Sequence, residues 1–240
     1  MRRRAAALLL AAPGALALRQ EALAQQWAAV DLLLVLAVDA SGSIDDGEFR
    51  LQREGCAEAL SHPATLAAIR SKPRGAIAVA MVEWGSPGGA ATAVEWMRLS
   101  DTTSARALAR AVIDAPRSRQ SYNAIGDAIE HAARLIAAAP FRAEERVIDV
   151  SGDGPDLRSH RAAPEARDDA VAAGITVNAL AIELAPVTRF GLPLRTYYER
   201  DVIGGPGAFV MVAEDRRDFA RAMRAKLIRE IADRPAAAAG

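Results

Sequence analysis

Four runs of this chain are apolar almost without interruption: "LLLVLAV" at 32–38, "AIAVAMVEW" at 76–84, "RVIDVSG" at 146–152 and "ITVNALAI" at 175–182. A strand with one wet face alternates apolar and polar residues. A strand that does not alternate is buried on both faces, as in a parallel sheet covered by helices. The segments between the runs carry helical spacing, and helices are expected over 45–60, around 104–113, over 123–138 and over 164–173. The third has Ile125, Ile129, Ala132 and Ile136 at intervals of four, three and four, and the fourth has Pro164 near its start and Gly174 just past its end. The final stretch reads as a strand at 208–213 followed by a helix with Phe219, Met223, Leu227 and Ile231 on its apolar face.

This alternation predicts an α/β fold, a doubly wound, mostly parallel sheet with helices on both faces. One strand breaks the pattern. "TAVEWMRL" at 92–99 follows the second run after only "GSPGGA", too short a link for a crossover helix, so it is expected as an antiparallel edge strand. With 240 residues, about half of them apolar, the composition suits one sizeable core, placed at 31–232, with an alanine-rich tail at 233–240. Thirty basic and thirty acidic residues cancel, and no long basic run interrupts the body, which argues against nucleic acid as a partner.

The first 24 residues differ from the rest. Arg2, Arg3 and Arg4 precede a short apolar stretch that Pro13 interrupts, and two Ala-Leu-Ala sites follow, ending at Ala17 and Ala24. That is the layout of a secretory signal peptide, well short of the roughly 20 apolar residues of a spanning helix. Cleavage after Ala24 removes four arginines and one glutamate, leaves a net charge of −3 and places the mature protein in the periplasm or outside the cell, with no transmembrane segment. The sole cysteine, Cys56, has no intrachain partner and reads as a small buried residue.

Ligands bind sheets of this kind outside the carboxyl ends of the strands. Three loops there are rich in oxygen: "DASGS" with Asp39, Ser41 and Ser43 after the first strand, "SYNAIGDA" with Asn123 at the head of a helix, and "SGDGPD" with Asp153 and Asp156 after the fourth. Residues two apart on extended chain point the same way, so Asp39, Ser41 and Ser43 converge. Asp39 or Ser43 capping the helix that begins near Asp45 is the competing reading for that pair. "GGPGA" at 204–208 leads into a strand rather than a helix and reads as a turn, not a phosphate cradle. His62, His131 and His160 are scattered, and Trp84 and Trp96 are assigned to packing.

Asp-x-Ser-x-Ser after the first strand, a polar residue opening a central helix and the Asp-Gly turn after the fourth strand together resemble the von Willebrand factor A domain and its metal-ion-dependent adhesion site. "EFRLQREG", "VIDVSGDGP" and "VIGGPGAFV" are similar to an uncharacterised, mostly proteobacterial branch of exported proteins of this type. The resemblance implies that Ser41 and Ser43 hold the ion through their hydroxyls, and that Asp39 and Asp153 hold it directly or through water. Asn123 stands where that family usually has threonine, with Ser121 the alternative source of a hydroxyl.

The donor chemistry fits Mg²⁺, with Mn²⁺ or Ca²⁺ as alternatives. Mg²⁺ takes six oxygens at about 2.0–2.1 Å and keeps several waters. Without histidine or cysteine in the loops, zinc is disfavoured. The function expected is a binding module whose protein partner offers an acidic side chain to the ion. A metal-free interaction domain and a metal-dependent hydrolase are the alternatives. Catalysis is not expected, because an aspartyl-phosphate enzyme commonly has a second Asp where Ser41 stands, and no Gly-x-Ser-x-Gly occurs.

Overall fold

The computed structural model describes residues 28–232, so the signal-peptide and tail assignments lie outside the described residues. In chain order the elements are β1 (Ala28–Ala29), β2 (Leu32–Asp39), α1 (Asp46–Ser61), α2 (Pro63–Arg70), β3 (Ile77–Trp84), β4 (Ala91–Leu99), α3 (Thr102–Asp114) and α4 (Ile125–Ala137). There follow β5 (Phe141–Arg142), β6 (Glu145–Gly152), α5 (Ala163–Ala172), β7 (Thr176–Ile182), α6 (Leu194–Asp201), β8 (Val210–Ala213) and α7 (Phe219–Ala232). The main sheet has the order β4-β3-β2-β6-β7-β8, parallel throughout except for the antiparallel pairing of β4 on β3. β1 and β5 form a separate two-stranded parallel ribbon.

The non-alternating runs are buried on both faces. Along β2, Leu33, Val35 and Ala37 enter a core shared with Ile125, Ile129 and Ile136 of α4, while Leu32, Leu34, Leu36 and Val38 enter a second core with Cys56 of α1, Leu108 of α3 and Met223 and Leu227 of α7. Each side chain therefore counts toward one of two layers. Cys56 is fully buried, and burial pushes its thiol up to about 12, which keeps it from acting as a nucleophile.

Several boundaries differ from the sequence expectation. The helix expected from 123 begins at Ile125, so Asn123 precedes it instead of opening it. The strand expected from 208 begins at Val210, because the Phe209 amide donates to the Asn178 side-chain oxygen at 3.1 Å. The glycine turn before it is real: Gly205 and Gly207 have φ of +92° and +69°, backbone that glycine adopts without strain. Two short helices, α2 and α6, had no periodicity to announce them. His62 caps α2 by accepting the Ala64 amide.

Charge is also buried in the core. Lys226 of α7, wholly inaccessible, lies 2.6 Å from Asp149 of β6 and 2.5 Å from Glu230, which also accepts a hydrogen bond from Asn178 of β7 at 2.8 Å. One cation facing two carboxylates ties the last helix to the sheet. Removing it leaves uncompensated buried charge, so Lys226→Met is expected to cost about 3–5 kcal/mol in urea unfolding. Burial, then the neighbouring Glu230, pushes the Asp149 carboxyl up to about 7. A folded pKa above the unfolded one makes this group's contribution complete below about 4 and lost as pH rises through 7. Relative to Asp149→Asn, the native chain should lose stability across that window.

Candidate functional site

The parallel register delivers the loops to one edge. Asp39 ends β2 opposite Trp84 and one residue beyond the Val38–Ser151 pair, and Gly152 ends β6. The site therefore sits at the carboxyl ends of the two central strands. Asp39 is 1% exposed. Its Oδ1 accepts the Ser41 amide at 2.8 Å, and its buried Oδ2 has no hydrogen-bond partner among the described residues. The Ser41 and Ser43 hydroxyls are 3.1 Å apart. Burial first, and the Asp153 carboxylate second, push the Asp39 carboxyl up to about 7, against the pull of the Ser41 hydrogen bond.

The capping alternative is overturned. The N-cap of α1 is Asp45, whose side chain accepts the Glu48 amide at 2.8 Å while Glu48 accepts the Asp45 amide at 3.0 Å, a closed capping box. Neither Asp39 nor Ser43 is used at that helix end.

Asp153 has a partner that the sequence did not disclose. Arg216, in the β8–α7 loop, donates to Asp153 Oδ2 at 2.6 Å and reaches Glu48 Oε1 at 2.8 Å. Its side chain is 9% exposed, and its buried Nη1 has no partner among the described residues. One guanidinium thus joins the α1 capping box to the loop after β6.

The remaining loops are fixed by polar contacts to one another. Asn123 lies against Gly154: a Cβ on that glycine would fall 2.3 Å from the Asn123 amide nitrogen, so a larger residue there displaces the Asn123 side chain. The Asn123 carbonyl accepts the Leu157 amide at 2.7 Å. Ser121 is tied to the β3–β4 loop, its amide donating to the Ser86 hydroxyl at 3.0 Å, and Gln120 bridges the same loop from the Ser86 amide to the Gly89 carbonyl, both at 2.7 Å. Beneath them Glu83, fully buried, pairs with Arg53 at 2.5 Å and accepts the Ser118 amide at 2.6 Å.

Asp156 does not join the hydroxyls. It accepts the Ile125 amide at 2.9 Å, the Ser159 hydroxyl at 2.5 Å and the Ala163 amide at 3.3 Å, and so caps α4 and α5, neither of which is capped by its own N-cap side chain. Partial burial raises its carboxyl. Adjacent tyrosines on α6 hold the same loop. The Tyr198 hydroxyl donates to the Gly154 carbonyl at 3.1 Å, and the Tyr197 oxygen accepts the Asp156 amide at 3.2 Å. Burial, then Asp39 and Asp153, keeps the Tyr198 phenol well above its ordinary pKa. His160 is exposed but bonded at 3.0 Å to Asp127, which also accepts the Gly88 amide.

Chemically, the site offers one unpartnered buried carboxylate oxygen, two hydroxyls at contact distance and a second carboxylate that an arginine already neutralises in part. Among the described residues no group of three or more His, Cys, Asp or Glu side chains is arranged to hold a metal. Any ion here must rely on the serine hydroxyls.

The fold and these loops define a von Willebrand factor A-like α/β domain, and solved structures share it. The pilus adhesin SpaC of Lactobacillus rhamnosus GG superposes with a TM-score of 0.62 at 14% identity, over 86% of this chain and 31% of that one. Proximal thread matrix protein 1 from the mussel byssus, with a zinc-occupied MIDAS motif, gives 0.60 at 16% identity, over 85% and 46%. The von Willebrand factor type A protein of Catenulispora acidiphila gives 0.56 at 18%, over 84% and 43%. The chain spans less than half the length of these three structures. No curated protein matches the sequence. Residues 29–235 match the model of a protein family of unknown function, DUF1194, and the chain belongs to that family.

Asp156 and Tyr198 are expected to set the shape of the loop after β6. Asp156→Ala, which strips two helix ends of their cap, should cost about 1–2 kcal/mol or more in thermal unfolding. Tyr198→Phe should cost about 1 kcal/mol.

Proposed function

We propose that the protein is an exported binding module that engages a protein partner through a divalent cation held by Asp39, Ser41, Ser43 and Asp153, with Asn123 in the third loop. The observation that carries the reading is the buried Oδ2 of Asp39, unpartnered among the described residues, at the same strand edge as the adjoining Ser41 and Ser43 hydroxyls and the Asp153 loop. Two facing carboxylates repel, and a cation between them relieves the repulsion. With Arg216 already on Asp153, the site leaves an ion short of negative charge, and a carboxylate from a partner is the natural last ligand. Mg²⁺ and Mn²⁺ suit the oxygen donors. The zinc in the mussel protein's motif removes the ground for setting zinc aside on donor type alone. The adhesin and matrix proteins that share the fold support a role in binding rather than catalysis. Among the described residues no helix is long and apolar enough to cross a membrane.

Calorimetric titration with Mg²⁺, Mn²⁺ and Zn²⁺ tests the reading. One ion per chain is expected, raising stability by about 2.7 kcal/mol at a hundredfold excess over its dissociation constant. Asp39→Asn and Asp153→Ala should abolish the shift, and Asn123→Leu should weaken it where Asn123→Thr does not. A flat titration with all three ions leaves the metal-free interaction domain as the reading.

Arg216→Gln removes a competing positive charge and should tighten ion binding about tenfold, while lowering the melting point in EDTA. Loss of binding in this variant would instead assign Arg216 to holding Asp153 in place. Export is tested by mass spectrometry of protein recovered from the periplasm or medium, with the mature chain expected to begin after Ala17 or Ala24.

A further inference from the structure

Seven large apolar side chains are substantially exposed among the described residues, and five of them, Tyr122, Leu157, Leu184, Val187 and Phe190, stand on loops at the carboxyl edge of the sheet. Scattered exposed apolar residues are ordinary, whereas a group gathered around one site marks a contact surface. The other two, Leu51 and Ile113, lie on helices α1 and α3.

Three of the five, Leu184, Val187 and Phe190, belong to the loop between β7 and α6, and the first two of these line a cavity. It measures about 240 Å³ and is lined by Asp153, Ile182, Leu184, Val187, Arg189 and Leu194, among others. Asp153 therefore faces both the candidate ion site and this cavity. The size decides what fits. Small-molecule sites run to about 300–1,000 Å³, whereas about 150 Å³ of apolar space already admits a benzene ring. The space is of the size of one leucine or phenylalanine side chain.

The wall is preorganised. Thr188 and Leu192 close a turn, the Thr188 amide donating to the Leu192 carbonyl at 2.7 Å, and Phe190 stacks on Tyr197 with ring centroids 5.9 Å apart. The cavity wall carries one arginine, Arg189, whose guanidinium lies 5.7 Å from the Phe190 ring, and the neighbouring Glu183 carboxylate is turned to the Arg195 amide at 3.0 Å. The carboxylate in the lining, Asp153, is paired with Arg216, which it shares with Glu48. An apolar socket with an arginine in its wall, next to a site wanting a carboxylate, is complementary to an acidic segment that also carries an apolar side chain.

We infer that the cavity is a socket for a large apolar side chain next to the acidic residue that a protein partner offers to the ion site. The inference rests on the reading of that site as a cation-dependent binding centre. The occupant is a segment of another protein in which Asp or Glu stands within about two positions of Leu, Ile, Phe or Met, since strand residues two apart point the same way. The acid sets the dependence on the ion, and the apolar neighbour selects among acidic segments.

A library of random linear peptides displayed on phage, selected on the folded protein in Mg²⁺ or Mn²⁺, tests this. Selected sequences should pair an acid with a large apolar residue. The best synthetic peptide should lose about tenfold or more in affinity when that residue becomes Ala, or when the protein carries Leu184→Asp or Val187→Asp. Both positions are about half exposed, so the variants should melt as the parent does, and their melting curves check it.

Acidic peptides that are released by EDTA yet bind these variants as tightly as the parent overturn the socket and leave the ion-dependent reading standing. Peptides that need Leu184 but are indifferent to EDTA and to loss of their acid overturn both. Absence of any enriched sequence overturns the socket, as does self-association of the parent that Leu184→Asp abolishes, which would make a second copy of the chain the occupant.

Discussion

A carboxylate buried without its full complement of hydrogen bonds is costly, and Asp39 is held in that condition by a strand that cannot relax. β2 is the centre of the sheet, paired with β3 on one side and β6 on the other, and all eight of its residues are buried. Its last residue has nowhere to go. The neighbouring strand then brings a second acid, Asp153, to the same edge, and the Asp39 carboxyl rises in response to burial and to that neighbour. The serines, the arginine from the β8–α7 loop and the tyrosines of α6 are arranged around this unfavourable pair.

The loops around the pair are pinned by contacts that give nothing directly to an ion. Asp156 caps two helices, Tyr198 holds the Gly154 carbonyl, Glu83 and Arg53 anchor the loop before α4, and Gln120 staples it to the β3–β4 loop. A binding site on loops gains precision when the loops are held from behind. Arg216 differs in kind, because it touches the site itself and carries charge into it. It links Asp153 to Glu48, and thus to the N-terminus of α1, so any change of charge at Asp153 is felt at two further elements.

Much of the fold was legible in the sequence because a doubly covered strand leaves a one-dimensional trace. The runs at 32–38, 76–84, 146–152 and 175–182 correspond to β2, β3, β6 and β7, and the short link before 92–99 required the antiparallel edge strand β4. The Asp39, Ser41 and Ser43 trio was legible for the same local reason. Non-local contacts left no such trace. Arg216 is one of many charged residues in "EDRRDFAR", and nothing there says which of them turns inward. Helix α6 is eight residues long and mostly polar, so its tyrosines gave no period. Asp156 looked like part of the oxygen cluster and is a helix cap, and nothing in the pattern of the last helix marked Lys226 as fully buried. Asn123, expected to open α4, instead precedes it and packs against Gly154.

The central claim is that the Asp39 edge holds a divalent cation through serine hydroxyls. An anomalous-scattering map from crystals of the mature protein grown with Mn²⁺ tests it most directly. The account predicts a single strong peak in contact with the Ser41 and Ser43 hydroxyls and within direct or one-water reach of Asp39 and Asp153. A map with no peak at that edge, or with the ion bound elsewhere on the chain, would contradict it.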